Sequence, residues 1–148
     1  MISDLSDLYQ EVIIDHSRKP RNFRRLSDAN RTAQGHNPLC GDRITVDLKL
    51  QQDQVKDAGF QGVGCAICTA SASLMTESVK GKSVDEAERL FENFYDLITT
   101  EKPAAESLGK LAVFSGVREY PVRAKCATLA WHTLRAALRR ADTPVSTE

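Results

Sequence analysis

The sequence predicts a single α+β domain in which one small antiparallel sheet is covered by helices, opened by an N-terminal helix and closed by a long C-terminal one. Three observations carry this. Ile44, Val46, Leu48 and Leu50 alternate with Thr45, Asp47 and Lys49, and a second extended run, Val55 to Val63, follows the polar turn Gln51 to Gln54, the pattern of a hairpin. Apolar residues recur at three- and four-residue spacing in the segments before and after that hairpin, the period of helices that bury one face. The order helix, short strands, several helices then favours a sheet with one face covered.

The elements follow in chain order. Leu5, Leu8, Tyr9, Val12 and Ile13 fall on one helical face, with Ser3 available as N-cap, so a helix is expected over residues 4 to 16, closed by Pro20. A short strand is expected near Thr32 to His36, before the hairpin. Residues 66 to 79, small at first and then bearing Leu74, Met75 and Val79, suit a close-packed helix stopped by Gly81. Ser83 and Glu86 have capping-box spacing, and Leu90, Phe91, Phe94, Leu97 and Ile98 continue that helix to about Thr100, before Pro103. A looser stretch containing Leu108, Leu111, Val113 and Phe114 leads to Pro121, which starts a helix rich in Ala, Leu and Arg that runs to Ala141. The tail after Asp142 is expected to fray. No internal repeat, low-complexity block or linker divides residues 1–148, so they read as one domain.

Composition excludes several function classes. Lys plus Arg number 20 and Asp plus Glu number 20, so no global field draws the chain to nucleic acid or to an anionic membrane. No apolar run approaches the ~18 residues of a spanning helix. Met1-Ile2-Ser3-Asp4 lacks the charged-then-apolar order of a secretory leader. A cytoplasmic protein is expected, and in that reducing compartment four cysteines point to metal binding or catalysis before disulfides.

Three short segments carry those cysteines: Asn37-Pro38-Leu39-Cys40-Gly41-Asp42, Gly62-Val63-Gly64-Cys65-Ala66-Ile67-Cys68 and Arg123-Ala124-Lys125-Cys126. Zinc takes thiolate, imidazole and carboxylate donors in tetrahedral geometry, and Cys40, Asp42, Cys65 and Cys126 could supply all four. Gly41 lets Cys40 and Asp42 flank a turn, and Cys65 opens a helix whose unpaired N–H groups favour thiolate over thiol. Lys125 and Arg123 precede Cys126 and lower its pKa in the same direction. Cys65 and Cys68 also form a C-x-x-C, the spacing of redox dithiols and zinc knuckles, but no second such pair accompanies it. Cys68 is open to three readings: a reserve ligand, a resolving thiol or a packed side chain. His16, His36 and His132 are not first choices as ligands.

Taken together, Leu8-Tyr9, Asp15-His16, Pro20-Arg21-Asn22, Asn37-Pro38-x-Cys40-Gly41-Asp42, Gly62-x-Gly64-Cys65, Ala70-Ser71-Ala72-Ser73 and Lys125-Cys126 with Leu129 and Trp131 resemble the IscU/NifU N-terminal superfamily over nearly the whole chain. Within it the chain resembles the SufU branch. Scaffolds of the IscU type carry a histidine immediately before the third cysteine, where this chain has Lys125, and the stretch from Pro103 to Tyr120 resembles the insertion of SufU-type proteins. Cys68 departs from the family, which more often has serine there.

The resemblance implies a zinc-dependent sulfurtransferase with one Zn²⁺ per chain. It would accept persulfide sulfur from a SufS-type cysteine desulfurase and deliver it to a SufBCD-type assembly complex. Cys40 is then the nucleophile and sulfur carrier, freed when a histidine of the desulfurase takes its place. Asp42, Cys65 and Cys126 retain zinc, and Arg123 and Lys125 stabilise charge on the moving sulfur. The alternative is a scaffold on which a [2Fe–2S] cluster is assembled, with Asp42 or Cys68 as the fourth ligand. A purely structural zinc is a third reading, disfavoured because closed structural sites prefer thiolate and imidazole to carboxylate.

Overall fold

The computed structural model describes residues 2–38, 41–100, 105–139 and 145–146, with 2–9 and 145–146 described by their backbone alone. Its elements are α1 (Ile2–Arg18), β1 (Arg31–Asn37), β2 (Asp42–Gln51), β3 (Gln54–Val63), α2 (Ala66–Val79), α3 (Val84–Thr99), a 3-10 segment (Glu106–Glu119), α4 (Pro121–Leu138) and the short β4 (Val145–Ser146). The sheet order is β3-β2-β1-β4. The first three strands are antiparallel, and β4 lies parallel to β1. The α+β class and the helix-covered antiparallel sheet agree with the sequence reading. Among the described residues no helix is long and apolar enough to cross a membrane.

Alternation in the sequence sets the hairpin register. Val46 pairs with Phe60 and Leu48 with Ala58, and all four side chains are buried. Gln52 and Asp53 form the two-residue turn, both with positive φ (54° and 62°), as a hairpin whose turn must match the strand twist requires. The segment before β1 is clamped by Asp47, whose fully buried carboxylate accepts from Arg25 Nε (2.6 Å), the Leu26 N–H (3.0 Å) and the Thr32 hydroxyl (2.8 Å). Burial alone would raise its pKa, but these donors outweigh it and the net shift is downward. That clamp lays Asn22 and Phe23 along the β3 edge, where Asn22 O accepts the Phe60 N–H at 3.0 Å, so this part of the edge is covered.

The helices bury the other face of the sheet. Trp131, Phe94 and Phe114 are fully buried, Phe94 stacking on Trp131 at 4.7 Å and meeting Phe114 edge-on at 5.6 Å. Each such side chain contributes about 1.5–3 kcal/mol on leaving water. The small residues Ala70 to Ser73 let α1 approach α2 closely. There the Ser73 hydroxyl meets His16 Nδ1 at 2.7 Å and accepts the Arg21 N–H at 2.8 Å. α3 starts with the expected capping box, Ser83 and Glu86 exchanging side-chain and backbone bonds at 3.0 and 3.1 Å.

Local features also differ from the sequence reading. α1 already begins at Ile2 and runs to Arg18, so Ser3 lies inside it and is not its N-cap. The stretch read as loose is a 3-10 segment kinked at Gly109 (φ 52°), with Leu108, Leu111, Phe114 and Val117 buried. Their three-residue spacing eclipses them on one face of a 3-10 helix. α4 ends at Leu138, short of Ala141. In the tail read as frayed, Val145–Ser146 pair with Gly35 and His36 of β1, using an edge that would otherwise present unpaired backbone groups; residues 140–144 and 147–148 lie outside the described residues.

Gly35 positions α4. A Cβ there would strike Thr133 Oγ1 and sit 3.2 Å from Leu129 Cδ1, so its absence lets the helix lie directly on β1. Two residues along the strand, Asn37 Nδ2 reaches Cys126 Sγ at 3.8 Å, and the N-terminal part of α4 is thereby brought to the end of the β1–β2 hairpin.

Candidate metal centre

Three elements meet at that end of the sheet: β2 and α2 at their starts, and α4 at its second turn. Asp42 opens β2 opposite Asn37, and the Gly41 N–H donates to Asn37 O at 2.8 Å. Gly41 has φ +74°, a conformation that glycine adopts without penalty. The Asp42 side chain is buried, with 2 % exposure, and points inward. Its Oδ1 accepts the Cys65 N–H at 3.1 Å, while Oδ2 lies 4.0 Å from Cys65 Sγ. Gly64 makes this approach possible, because a Cβ there would sit 3.1 Å from Asp42 Oδ1 and 3.2 Å from Cys68 Sγ.

Cys65 is the N-cap of α2, and its Sγ accepts the Cys68 N–H at 3.5 Å. The hydrogen bond from Cys126, with help from the Cys68 and Ile67 N–H groups, outweighs burial and the Asp42 charge and lowers its pKa from 9.0 to about 6. Cys65 is exposed, whereas Cys126 is buried. The site therefore has a wet side, where Cys65 stands, and a dry floor of Asp42 and Cys126.

Donor atoms of Asp42, Cys65 and Cys126 all lie within 4.8 Å of one another. Thiolates on one tetrahedral zinc, each about 2.3 Å from the metal, are ~3.8 Å apart. The cluster is thus within a small contraction of that geometry, and its two soft donors and one hard donor are of types zinc accepts. The residues fit the metal. Asn37, for which the sequence reading gave no role, is completely buried with its amide against the Cys126 sulfur. Its signal was its inward position in the alternation Ala33, Gly35, Asn37.

The other residues singled out from the sequence fall in different places. Cys40 lies outside the described residues. Arg123 is exposed on the first turn of α4, with its guanidinium 4.9 Å from the Tyr120 ring centroid. Among the described residues no hydrogen bond or ion pair joins Arg123 or the half-buried Lys125 to Asp42, Cys65 or Cys126. Cys68 is a buried thiol one turn into α2. His16 belongs to the α1–α2 contact, His36 is exposed on β1, and His132 packs edge-on against Phe91 and Tyr95.

Comparison with known proteins points to one family. Residues 8–127 match the family described as NifU-like N terminal domain. The chain is 40% identical over 141 residues to the zinc-dependent sulfurtransferase SufU of Bacillus subtilis (strain 168), covering 95% of each chain. It is 41% identical over 140 residues to the iron–sulfur cluster assembly scaffold protein IscU of Streptococcus pyogenes serotype M1, covering 94% of this chain and 87% of the relative. A crystal structure from Fervidobacterium islandicum AW-1, described as an iron–sulfur cluster assembly scaffold for the SUF system, superposes with a TM-score of 0.84 at 34% identity, covering 88% of this chain and 96% of that one.

Proposed function

The chain belongs to the NifU-like N-terminal domain family, and from that membership we propose that it serves iron–sulfur cluster assembly in the cytoplasm as a zinc-dependent sulfurtransferase. The observation that carries the reading is the convergence of Asp42, Cys65 and Cys126 within 4.8 Å, with a carboxylate among the thiols. A carboxylate is a harder and more exchangeable donor for zinc than sulfur. Such a set suits a centre that rearranges better than a closed structural site. The likeness to SufU over 95% of both chains supports the same reading.

In this reading Asp42, Cys65, Cys126 and Cys40 hold the metal. Zinc, when bound, would keep the thiols deprotonated at neutral pH. Cys40 is the sulfur acceptor. Its thiolate attacks the terminal sulfur of a persulfide on a SufS-type cysteine desulfurase, a new S–S bond forms at Cys40, and the desulfurase leaves as a thiolate. Asp42 holds the Cys65 N–H, and Asn37 holds Cys126, so these donors stand on a fixed floor. In this reading Arg123, on the exposed first turn of the same helix as Cys126, stabilises charge on the incoming sulfur. The desulfurase docks over this face, and a SufBCD-type complex receives the sulfur.

The IscU-named relative at 41% identity favours a second reading, a scaffold holding a [2Fe–2S] cluster on the same thiols. One experiment separates them. Metal analysis and a visible spectrum are taken on purified protein, then desulfurase turnover is measured with and without it. About one zinc per chain, no colour and stimulation that is lost in Cys40→Ser are expected. Iron, visible absorption and no stimulation would establish the scaffold instead.

A further inference from the structure

Among the described residues the candidate metal cluster is Asp42, Cys65 and Cys126, and Cys68 is a buried core thiol placed next to it. Cys65 caps α2 and Cys68 stands one turn along, so the two side chains share a face at i and i+3. The Cys68 N–H points at Cys65 Sγ at 3.5 Å, which folds the Cys65 thiol back over the first turn. Independently, Cys68 Sγ lies 3.2 Å from where a Gly64 Cβ would be, so this buried thiol, at the margin of the core, reaches the Gly64–Cys65 turn. Exposure differs in a useful way: Cys65 is open to solvent and Cys68 is 3 % exposed.

We propose that Cys65 and Cys68 form a reversible disulfide when a peroxide reaches the site, and that this disulfide competes with metal binding. The Cys65 thiolate attacks one peroxide oxygen and displaces hydroxide, giving a sulfenic acid. The Cys68 thiol then attacks the Cys65 sulfur and displaces water. Two thiols lose two electrons, one S–S bond forms, and hydrogen peroxide becomes two waters. The neighbouring thiol protects Cys65 from irreversible oxidation, and a dithiol reductant reverses the step. With Cys65 in the disulfide, the cluster keeps only Asp42 and Cys126 of its three described donors, so metal is released. The competition rests on the metal reading given above; the disulfide does not.

The test uses the full chain, metal-free and zinc-loaded, treated with hydrogen peroxide, alkylated and digested with trypsin. Cys65 and Cys68 fall in one tryptic peptide, residues 57–80, while Cys40 and Cys126 fall in others. The expected result is loss of two hydrogens from peptide 57–80 in the metal-free protein, reversed by dithiothreitol. In the zinc-loaded protein, zinc release parallels that loss. In Cys68→Ala, and in Cys68→Ser as a check on the buried hydroxyl, Cys65 goes on to sulfinic acid and the dithiothreitol-recoverable fraction falls at least ~5-fold. Equal recovery in the variants, or a disulfide from Cys65 to Cys40 or Cys126 in the parent chain, overturns the pair. A metal-free protein that forms the disulfide but never binds zinc sustains the pair and removes the metal reading alone.

Discussion

Asp42 grips Cys65 twice, its Oδ1 accepting the Cys65 backbone N–H at 3.1 Å and its Oδ2 facing the Cys65 thiol at 4.0 Å. One carboxylate thus fixes the start of α2 to the start of β2 and offers a donor to a metal. The two roles separate by mutation. Asp42→Asn keeps an oxygen for the N–H, so stability in EDTA is expected to stay close to the parent. Its zinc affinity is expected to fall at least ~10-fold, the scale on which even outer partners of a metal site matter. Asp42→Ala also strands the N–H and costs on the order of 1–3 kcal/mol in the same urea titration. Chelator competition reads the metal, and parental zinc affinity in Asp42→Asn would remove Asp42 from the ligand set.

The same corner sets the reactivity of Cys65. In metal-free protein its alkylation by iodoacetamide is expected to follow a thiolate titration with a midpoint near its lowered pKa of about 6. The largest cause is the hydrogen bond from Cys126, so Cys126→Ala is expected to move the midpoint upward. A midpoint that stays in place in that variant would assign the lowering to the α2 N–H groups instead.

Much of this architecture was legible because local chemistry and long-range packing agree. The alternation from Ile44 to Leu50 set the hairpin, and Ser83 with Glu86 marked the start of α3 through side-chain bonds that need no distant partner. Three cysteine segments could be read as one centre because each stood beside a turn or a helix start. The 3-10 segment was less legible, since a three-residue repeat of Leu108, Leu111, Phe114 and Val117 lies between the helix and strand periods. The pairing of β4 with β1 depends on a sheet edge that no local pattern around Val145 announces. The role of Asn37 was hidden for a related reason: its partner, the Cys126 sulfur, is remote in sequence. The assignment of Cys40 to the metal rests on its chain neighbours and on family likeness.

Two histidines give the fold a predictable pH response. His16 sits in the α1–α2 contact and His132 beneath α3, and burial is the leading cause that lowers both below the ordinary 6.5. The unfolded chain therefore binds protons first as pH falls below about 6.5. Stability is expected to be level above that value and to decline as pH falls toward the folded-state pKa values. Urea midpoints of metal-free protein at pH 7.5 and 5.5 measure the slope, and His16→Gln is expected to make it shallower. An unchanged slope in that variant would leave His132 as the source.

The fit of α4 on β1 links packing to the metal cluster. Gly35 faces Thr133 and Leu129, and its missing Cβ is what lets the helix lie close. Gly35→Ala is expected to cost about 1–3 kcal/mol, the usual range for overpacking. It should also weaken zinc binding, because Cys126 belongs to the helix that must move, whereas Asp42 and Cys65 are tied to each other. Thr133 Oγ1 is held by Leu129 O at 2.8 Å and cannot simply turn away. Removing it in Gly35→Ala/Thr133→Ala should recover part of both losses, so the two substitutions are non-additive. Urea unfolding and chelator competition on the four members of this cycle give two coupling energies. Coupling in stability with none in zinc affinity would show that Cys126 does not follow the helix, and that its sulfur is set by its own contacts, Asn37 and Cys65 among them.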